Sequence, residues 1–431
     1  MSARSYRLCQ RLLCAAAATV LSYGIYTTCT RMWAAQLADD YTLPQIDRAL
    51  KLASGNSEYW LRRAQLLDQV GLPGNAELRR AAELNPRDAS AWIRLGNDAE
   101  ARGDLASAED HLLRAARVSR LYEPRWTLAN FYFRRGARAE FWNWARQALE
   151  LAPRDGTPLF QLCWAISPDP GEILDKAIPP NPKVVESYAS FLLAANRLDA
   201  AAQLFAGAAR QAQVPLLLSA CDRFIEAAMI DAAVGAWNAA VGSEALDPER
   251  GVSLTNAVFA VPATGRGFDW RVRQIPGVSA TIGSGVAAVF FDGREPEQCE
   301  PIAQFIPVLP GRKYQLQFEY KSSGIPPQSG LKWQASAACA GSNSMPRTGV
   351  RGSTGTAACT EPRPSGSGVS ECCHKLLGSS ASLSSDDWKQ EVIEFQAPPG
   401  VRLVRLSLTY SRTSGAVRID GSAVTRAMRL L

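Results

Sequence analysis

Only two histidines, His111 and His374, occur in 431 residues, and they stand far apart. That scarcity removes the usual ligands of metal hydrolases and the base of a Ser-His-Asp mechanism. There is no Gly-rich phosphate loop, no H-E-x-x-H and no G-x-S-x-G motif. Nucleotide, zinc-peptidase and serine-esterase chemistry therefore lack their parts. Charge of one sign is also scarce in excess: 47 basic against 41 acidic residues leave a net +6. A nucleic-acid binder would cluster Lys and Arg on one element, so none is expected as a partner. With 47% hydrophobic and 20% charged residues, disorder along the whole length and a multi-span transporter are excluded as well.

What is present begins at the N-terminus. Residues 1–11 carry Arg4, Arg7 and Arg11 and no acid, and residues 12–30 follow with no charge at all. At about 1.5 Å per residue those 19 residues cross most of a ~30 Å hydrocarbon core. Positive charge ahead of the span leaves the N-terminus in the cytoplasm and exports the rest. The expectation is a signal anchor in the inner membrane, single-pass, with the bulk of the chain on the periplasmic side. A cleaved signal peptide is the alternative. Cleavage after Ala34 or Ala35, however, would put Met32 or Trp33 at the −3 position, where a small residue belongs. The third reading is an Ala-rich helix buried in a soluble protein.

Ten cysteines do not spell a disulfide framework. Cys9, Cys14 and Cys29 lie in or beside the span. Cys163 and Cys221 fall in helical patterns and are expected in the core, and Cys299 stands alone in a Pro/Glu-rich loop. Cys339, Cys359, Cys372 and Cys373 crowd one low-complexity stretch, and no pairing follows from spacing.

From residue 40 to 246, Ala- and Leu-rich segments repeat with a period near 3.6 and almost no strand signal. Trp60, Trp92 and Trp126 recur at intervals of 32 and 34; Gly71, Gly103 and Gly136 recur at 32 and 33. With Leu95, Gly96, Ala99, Ala108, Leu112 and Ala115 around Trp92, this resembles the tetratricopeptide repeat, a helix-turn-helix of about 34 residues. The resemblance implies a superhelix with a concave groove for protein partners. It assigns Trp60, Trp92, Gly96, Ala108 and Trp126 to packing, with the small residues where paired helices approach closely. The following unit departs from the pattern, with Asn130 and Trp142 where small residues belong. The aromatic run Trp126, Phe131, Phe133, Phe141, Trp142 and Trp144 reads as inter-repeat core, with an aromatic peptide groove as the alternative. His111, beside Asp110, is expected in solvent. Pro168, Pro170, Pro179, Pro180 and Pro182 should bend or split the array.

Near residue 251 the pattern changes to period 2. Tyr314, Leu316, Phe318 and Tyr320 alternate with Gln315, Gln317, Glu319 and Lys321; Val404, Leu406, Leu408 and Tyr410 alternate with Arg405, Ser407, Thr409 and Ser411. Both predict half-buried antiparallel strands. Further strands are expected at 286–291, 302–308, 331–337, 391–396 and 416–419, enough for a β-sandwich. The order of Gly267-Phe-Asp-Trp270, Ile306-Pro-Val-Leu-Pro-Gly311, Gly330-Leu-Lys-Trp333 and Asp387-Trp388 is similar to carbohydrate-binding modules of the galactose-binding-like, jelly-roll type. That resemblance implies the fold and a possible polysaccharide ligand. Residues 338–385, with 7 Gly, 11 Ser and 3 Pro among 48, read as a low-complexity insertion or as text in a wrong reading frame. Adjacent Cys372-Cys373-His374 lacks zinc-knuckle spacing, so no metal is assigned.

The expected fold class is thus multi-domain: one transmembrane helix, an all-α tetratricopeptide-like superhelix, and an all-β jelly-roll-like sandwich over 251–431. Repeats and sandwich leave no room for a catalytic domain, and no cofactor is called for. The expected function is a non-catalytic, membrane-anchored envelope scaffold, in exopolysaccharide or cell-envelope assembly by analogy. The alternatives are an accessory part of a glycan-active enzyme system and a cytoplasmic adaptor. Trp270 and Trp333 are expected in the core. The outward face is polar: Gln317, Glu319, Lys321, Arg405 and Thr409, with Trp388 in a loop. It reads either as a plainly solvated face or as one that binds an acidic polysaccharide weakly through Lys321 and Arg405.

Overall fold

The computed structural model describes residues 3–152, 155–208, 213–242, 245–338, 375–412 and 418–431. Two compact units divide the chain, Met1–Tyr188 and Ala189–Leu431. This division does not fall at residue 250, where the sequence pattern changes. The last helices belong to the same unit as the strands.

The first unit opens with α1 (Ala3–Ala38), 36 residues without a break, followed by α2 (Leu43–Leu52). Helix pairs then alternate: α3 (Ser57–Gln69) with α4 (Asn75–Leu84), α5 (Ala89–Ala101) with α6 (Leu105–Val118), and α7 (Tyr122–Arg135) with α8 (Arg138–Leu151). After them come α9 (Thr157–Ile166), α10 (Pro170–Lys176) and α11 (Pro182–Ala194), within which the division falls. The pairs form tetratricopeptide-like repeats, and local chemistry explains their starts. The Asn56 carboxamide accepts from Glu58 N, Asp88 from Ser90 N, and Asp104 from Ser107 N, each satisfying an orphan amide of a first turn. Gly71, Gly103 and Gly136 end three first helices at φ of +73°, +80° and +68°, a conformation that costs Gly least.

The repeat tryptophans anchor by one device. The Trp60 indole donates to Ser54 O at 2.9 Å and the Trp92 indole to Pro86 O at 3.0 Å, each six residues back. In the next unit the same bond is made by Arg125, which donates to Ser119 O at 3.0 Å. The step from Trp92 to Arg125 is 33 residues, as is the step from Gly103 to Gly136. At that spacing Ala129, fully buried, takes the small position of Gly96, so the misfit of Asn130 disappears. Trp126 is thereby moved off the packing position. Its side chain is half-buried and lines the first helices' open face. Phe131, Phe141 and Trp142 are buried as core. His111, expected in solvent, lies half-buried with its ring 5.7 Å from that of Trp92, and burial lowers its pKa.

In α10 one carboxylate gathers three partners. Lys176 Nζ donates to Glu172 at 2.8 Å, Ser167 Oγ at 2.6 Å and Arg138 at 3.1 Å. The bonds from Lys176 and Ser167 hold the Glu172 carboxyl down at about 2. A depressed carboxylate contributes stability above its unfolded pKa of about 4.3, and the contribution fades as pH falls through the folded value. NMR titration of the Glu172 carboxyl is expected to find it ionised well below pH 4, and Lys176→Met with Ser167→Ala should return it toward the ordinary range. A midpoint that ignored both changes would show another cause.

The second unit holds the rest of α11, then α12 (Leu198–Ala208), α13 (Val214–Glu226) and α14 (Ile230–Val241), and two antiparallel sheets. The strands are β1 (Arg271–Val272), β2 (Val278–Gly283), β3 (Val286–Asp292), β4 (Gln298–Pro307), β5 (Lys313–Ser323), β6 (Lys332–Ala337), β7 (Leu376–Ser379), β8 (Lys389–Gln396), β9 (Leu403–Ser411) and β10 (Asp420–Leu430). One sheet runs β1-β4-β9-β6-β7, the other β2-β3-β10-β5-β8. The inward residues of both sheets form one core, in which Trp270 and Trp333 are fully buried with rings 5.7 Å apart. The Trp333 indole donates to Thr425 Oγ1 at 3.1 Å, tying β6 of one sheet to β10 of the other. Tyr314, Phe318, Tyr320 and Tyr410 are buried on the same inner faces.

Two sequence expectations are corrected here. Residues 375–385, assigned to the 338–385 insertion, carry β7, which pairs with β6; residues 339–374, with Cys339, Cys359, Cys372, Cys373 and His374, lie outside the described residues. The closing strand, expected at 416–419, is β10 at 420–430, paired with β3 on one side and β5 on the other; residues 413–417 lie outside the described residues.

Helices α13 and α14 dock on the strand unit through a small set of contacts. Asp222 accepts from the Gly267 amide at 2.7 Å, from Arg266 at 2.7 Å and from Arg271 at 3.2 Å. Trp237 packs edge-on against Phe268, ring centroids 6.1 Å apart at 89°. Arg402 grips Asp231 at 2.5 Å, an exposed pair worth about 0–1 kcal/mol. Cys221 and Cys163 are core residues, as expected, and burial pushes the Cys163 thiol up to about 12.

Candidate glycan-binding face and repeat groove

Alternation along β5 turns Gln315, Gln317, Glu319 and Lys321 to the outer face of its sheet. Register then decides their neighbours. Glu319 stands opposite Gln390 of β8 and Arg426 of β10; Gln317 stands opposite Val392 and Arg429; Lys321 stands opposite Val424. Residues 426 and 429 are three apart, so a regular strand would turn them to opposite faces. A bulge between them, with Ala427 at φ +51°, puts both arginines on the outer face. Sequence reading found neither one, because the closing strand expected at 416–419 stops short of both, and period-2 logic fails across the bulge.

Trp388 stands just before β8 and beside the same row. The Arg426 guanidinium lies 3.8 Å from the Trp388 ring centroid and donates to Glu319 at 2.8 Å. Trp388 keeps 41% of its surface exposed, and Phe290 on β3 of the same sheet keeps 51%. The face thus offers Lys321, Arg426 and Arg429 as cations, two open aromatic rings, and the amides of Gln317 and Gln390. Phe290 was missed because the Phe290-Phe291 pair closes an apolar run, residues 286–291, that reads as core.

Arg405 and Thr409 are elsewhere. Both lie on β9, in the other sheet, so the six residues expected to form one face are divided between two. The Arg405 side chain is only 15% exposed, pairs with Glu300, and stacks over Phe305 at 5.4 Å. Arg271, held by Asp222, covers the same Phe305 ring at 4.9 Å. Arg405 therefore belongs to the strand unit's packing under α13, and it is withdrawn as a ligand residue. Thr409 is half-buried and donates to Lys332 O at 3.3 Å.

Where β7 approaches β8, a cavity of about 600 Å³ is lined by Lys313, Gln315, Leu377, Glu394 and Gln396. A second, of about 480 Å³, opens on the first helices of the repeats between α5 and α7. Asn97, Glu100, Trp126, Asn130 and Arg134 line it, and Arg134 binds Glu100 through two bonds of 2.7 Å. Among the described residues no three His, Cys, Asp or Glu side chains gather where a metal could be held.

No family model and no curated relative matches the sequence. Among solved structures, a carbohydrate-binding module described as CBM4 matches 41% of this chain and 98% of its own, at 13% identity and a TM-score of 0.28. PilF of Pseudomonas aeruginosa matches 49% of this chain and 90% of its own, at 15% identity and a TM-score of 0.28. YrrB, described as a TPR protein with an unusual peptide-binding site, matches 47% and 93%, at 15% identity and a TM-score of 0.25. The fold assignment rests on the elements described above: tetratricopeptide-like helix pairs, then a two-sheet antiparallel sandwich.

Proposed function

We propose that this protein is a non-catalytic scaffold of the cell envelope, anchored by α1 in the inner membrane with its repeats and sandwich on the outer side. In this reading the groove over α5 and α7 takes a protein partner, and the outer face of β2-β3-β10-β5-β8 binds an acidic polysaccharide. One observation carries the glycan assignment: Lys321, Arg426 and Arg429 share an open face with the Trp388 ring. Cations attract the carboxylates of uronic acids, while an aromatic ring accepts the C–H face of a sugar. The anchor rests on the apolar stretch Leu13–Ala38, in whose most apolar window no residue is buried, together with the basic residues before it.

Titrating the protein with acidic and neutral polysaccharides tests the face. Acidic chains should bind at low salt and lose most of their affinity at high salt, because exposed charges are screened within about 10 Å at 0.1 M. Arg426→Ala with Arg429→Ala should weaken binding about tenfold or more, the loss of two exposed charge contacts and the support of Trp388. Arg405→Ala should weaken folding rather than binding. Equal affinity for neutral chains, or no change in the double variant, would overturn the assignment.

A further inference from the structure

The apolar part of α1 and the first helical pair are one continuous object. Ala34 and Ala38 are buried against Ile46, Ala49 and Leu50 of α2. Followed back along the same helical face, that seam reaches Thr30 and Thr27 at the i, i+4, i+7 spacing of one stripe. These two are half-buried, whereas every other described side chain from Leu13 to Thr30 is exposed. The half-buried stripe therefore extends into the uncharged stretch itself.

Geometry gives the reason. α2 runs antiparallel to α1 after a short turn, and its ten residues span about 15 Å at 1.5 Å each. Starting level with Ala38, it returns to about the level of residue 28. Its C-terminal end, Lys51 and Leu52, and the turn at Ala53–Asn56 thus stand beside the last turns of the apolar stretch. Leu52 is 42% exposed there, Arg48 and Lys51 are exposed, and Trp33 on α1, about one helical turn above Leu52 at the level of Arg48, is 63% exposed.

We infer that the corner between α2 and α3 is a membrane contact: Leu52 enters the headgroup layer of the outer leaflet, Arg48 and Lys51 meet lipid phosphates, and Trp33 lies in the interface. The inference rests on the reading of α1 as a membrane span. A long basic side chain can hold its stem in the interface and its charge at the phosphates, and Trp favours that depth. The occupant is a lipid surface because the corner is continuous with the span and carries cations beside an exposed Leu. The consequence is a repeat array that begins on the membrane with no flexible linker.

The test uses the full chain in vesicles of phosphatidylethanolamine and phosphatidylglycerol, with a benzophenone amino acid in place of Leu21, Leu52 or Leu105. Leu105 starts α6 and is similarly exposed, at 40%. Lipid adducts are expected from positions 21 and 52 and not from 105. Arg48→Glu with Lys51→Glu should cut the yield at position 52 several-fold and leave position 21 unchanged. Adducts at 21 alone would overturn the corner contact and leave the span standing. Adducts at neither 21 nor 52 would remove the span, and the contact with it. Equal yields at 52 and 105 would also overturn it.

Discussion

Replacing Gly267 with valine is expected to destabilise the second unit by about 3 kcal/mol or more, the sum of backbone strain and overpacking. Gly267 sits at φ +55°, where a β-branched residue is strained. A Cβ there would lie 2.5 Å from the Trp237 ring and 3.2 Å from Cys221 Sγ. Its amide is also the one that Asp222 accepts at 2.7 Å, so moving this turn breaks the docking of α13. Gly265 separates the two causes. It has φ +73° but open space around its missing Cβ, so Gly265→Ala should cost only the backbone share, about 1 kcal/mol. Hydrogen exchange read separately over α13–α14, the strands and α5–α6 distinguishes the outcomes. Loss of protection in helices and strands together is expected for Gly267→Val, because Trp237 and Asp222 bind one to the other. Loss in the helices alone would mean that the sandwich stands without them.

Gly96→Trp should unfold the α5–α6 pair and its neighbours, at a cost of several kcal/mol, since close-packed cores do not admit such volume. A Cβ at this position would already lie 2.6 Å from two carbons of Leu112 and 3.2 Å from Ala108 O. Leu112, Ala108 and Ala115 are all fully buried, so nothing nearby has room to retreat. The contrasting site is Gly235, exposed in α14 with no atom near its missing Cβ. There Gly235→Ala should raise stability by about 0.5–1 kcal/mol, the gain of a better helix former. Circular dichroism and denaturant melting check both. Unchanged helicity in Gly96→Trp would overturn the close approach of α5 and α6.

The sequence by itself determined the classes of structure, because periodicity is a local property of a chain packing one face against a core. The 3.6 period gave α3 to α8, and the period-2 runs gave β5 and β9 nearly to the residue. It also placed Trp270, Trp333 and the strand aromatics inside. Tertiary structure alone decided four things. Alternation says that Lys321 and Arg405 point outward, but not that β5 and β9 lie in different sheets, since strand order is set by pairings far apart in the chain. A single bulge at Ala427 joined Arg426 and Arg429 to one face, and the 33-residue step exchanged Trp126 for Arg125 at the packing position. Finally, α13 and α14 continue the helical pattern of the repeats yet belong with the strands. What holds them is the seat that Gly267 leaves open for Trp237, a fit between residues thirty apart that no local pattern records.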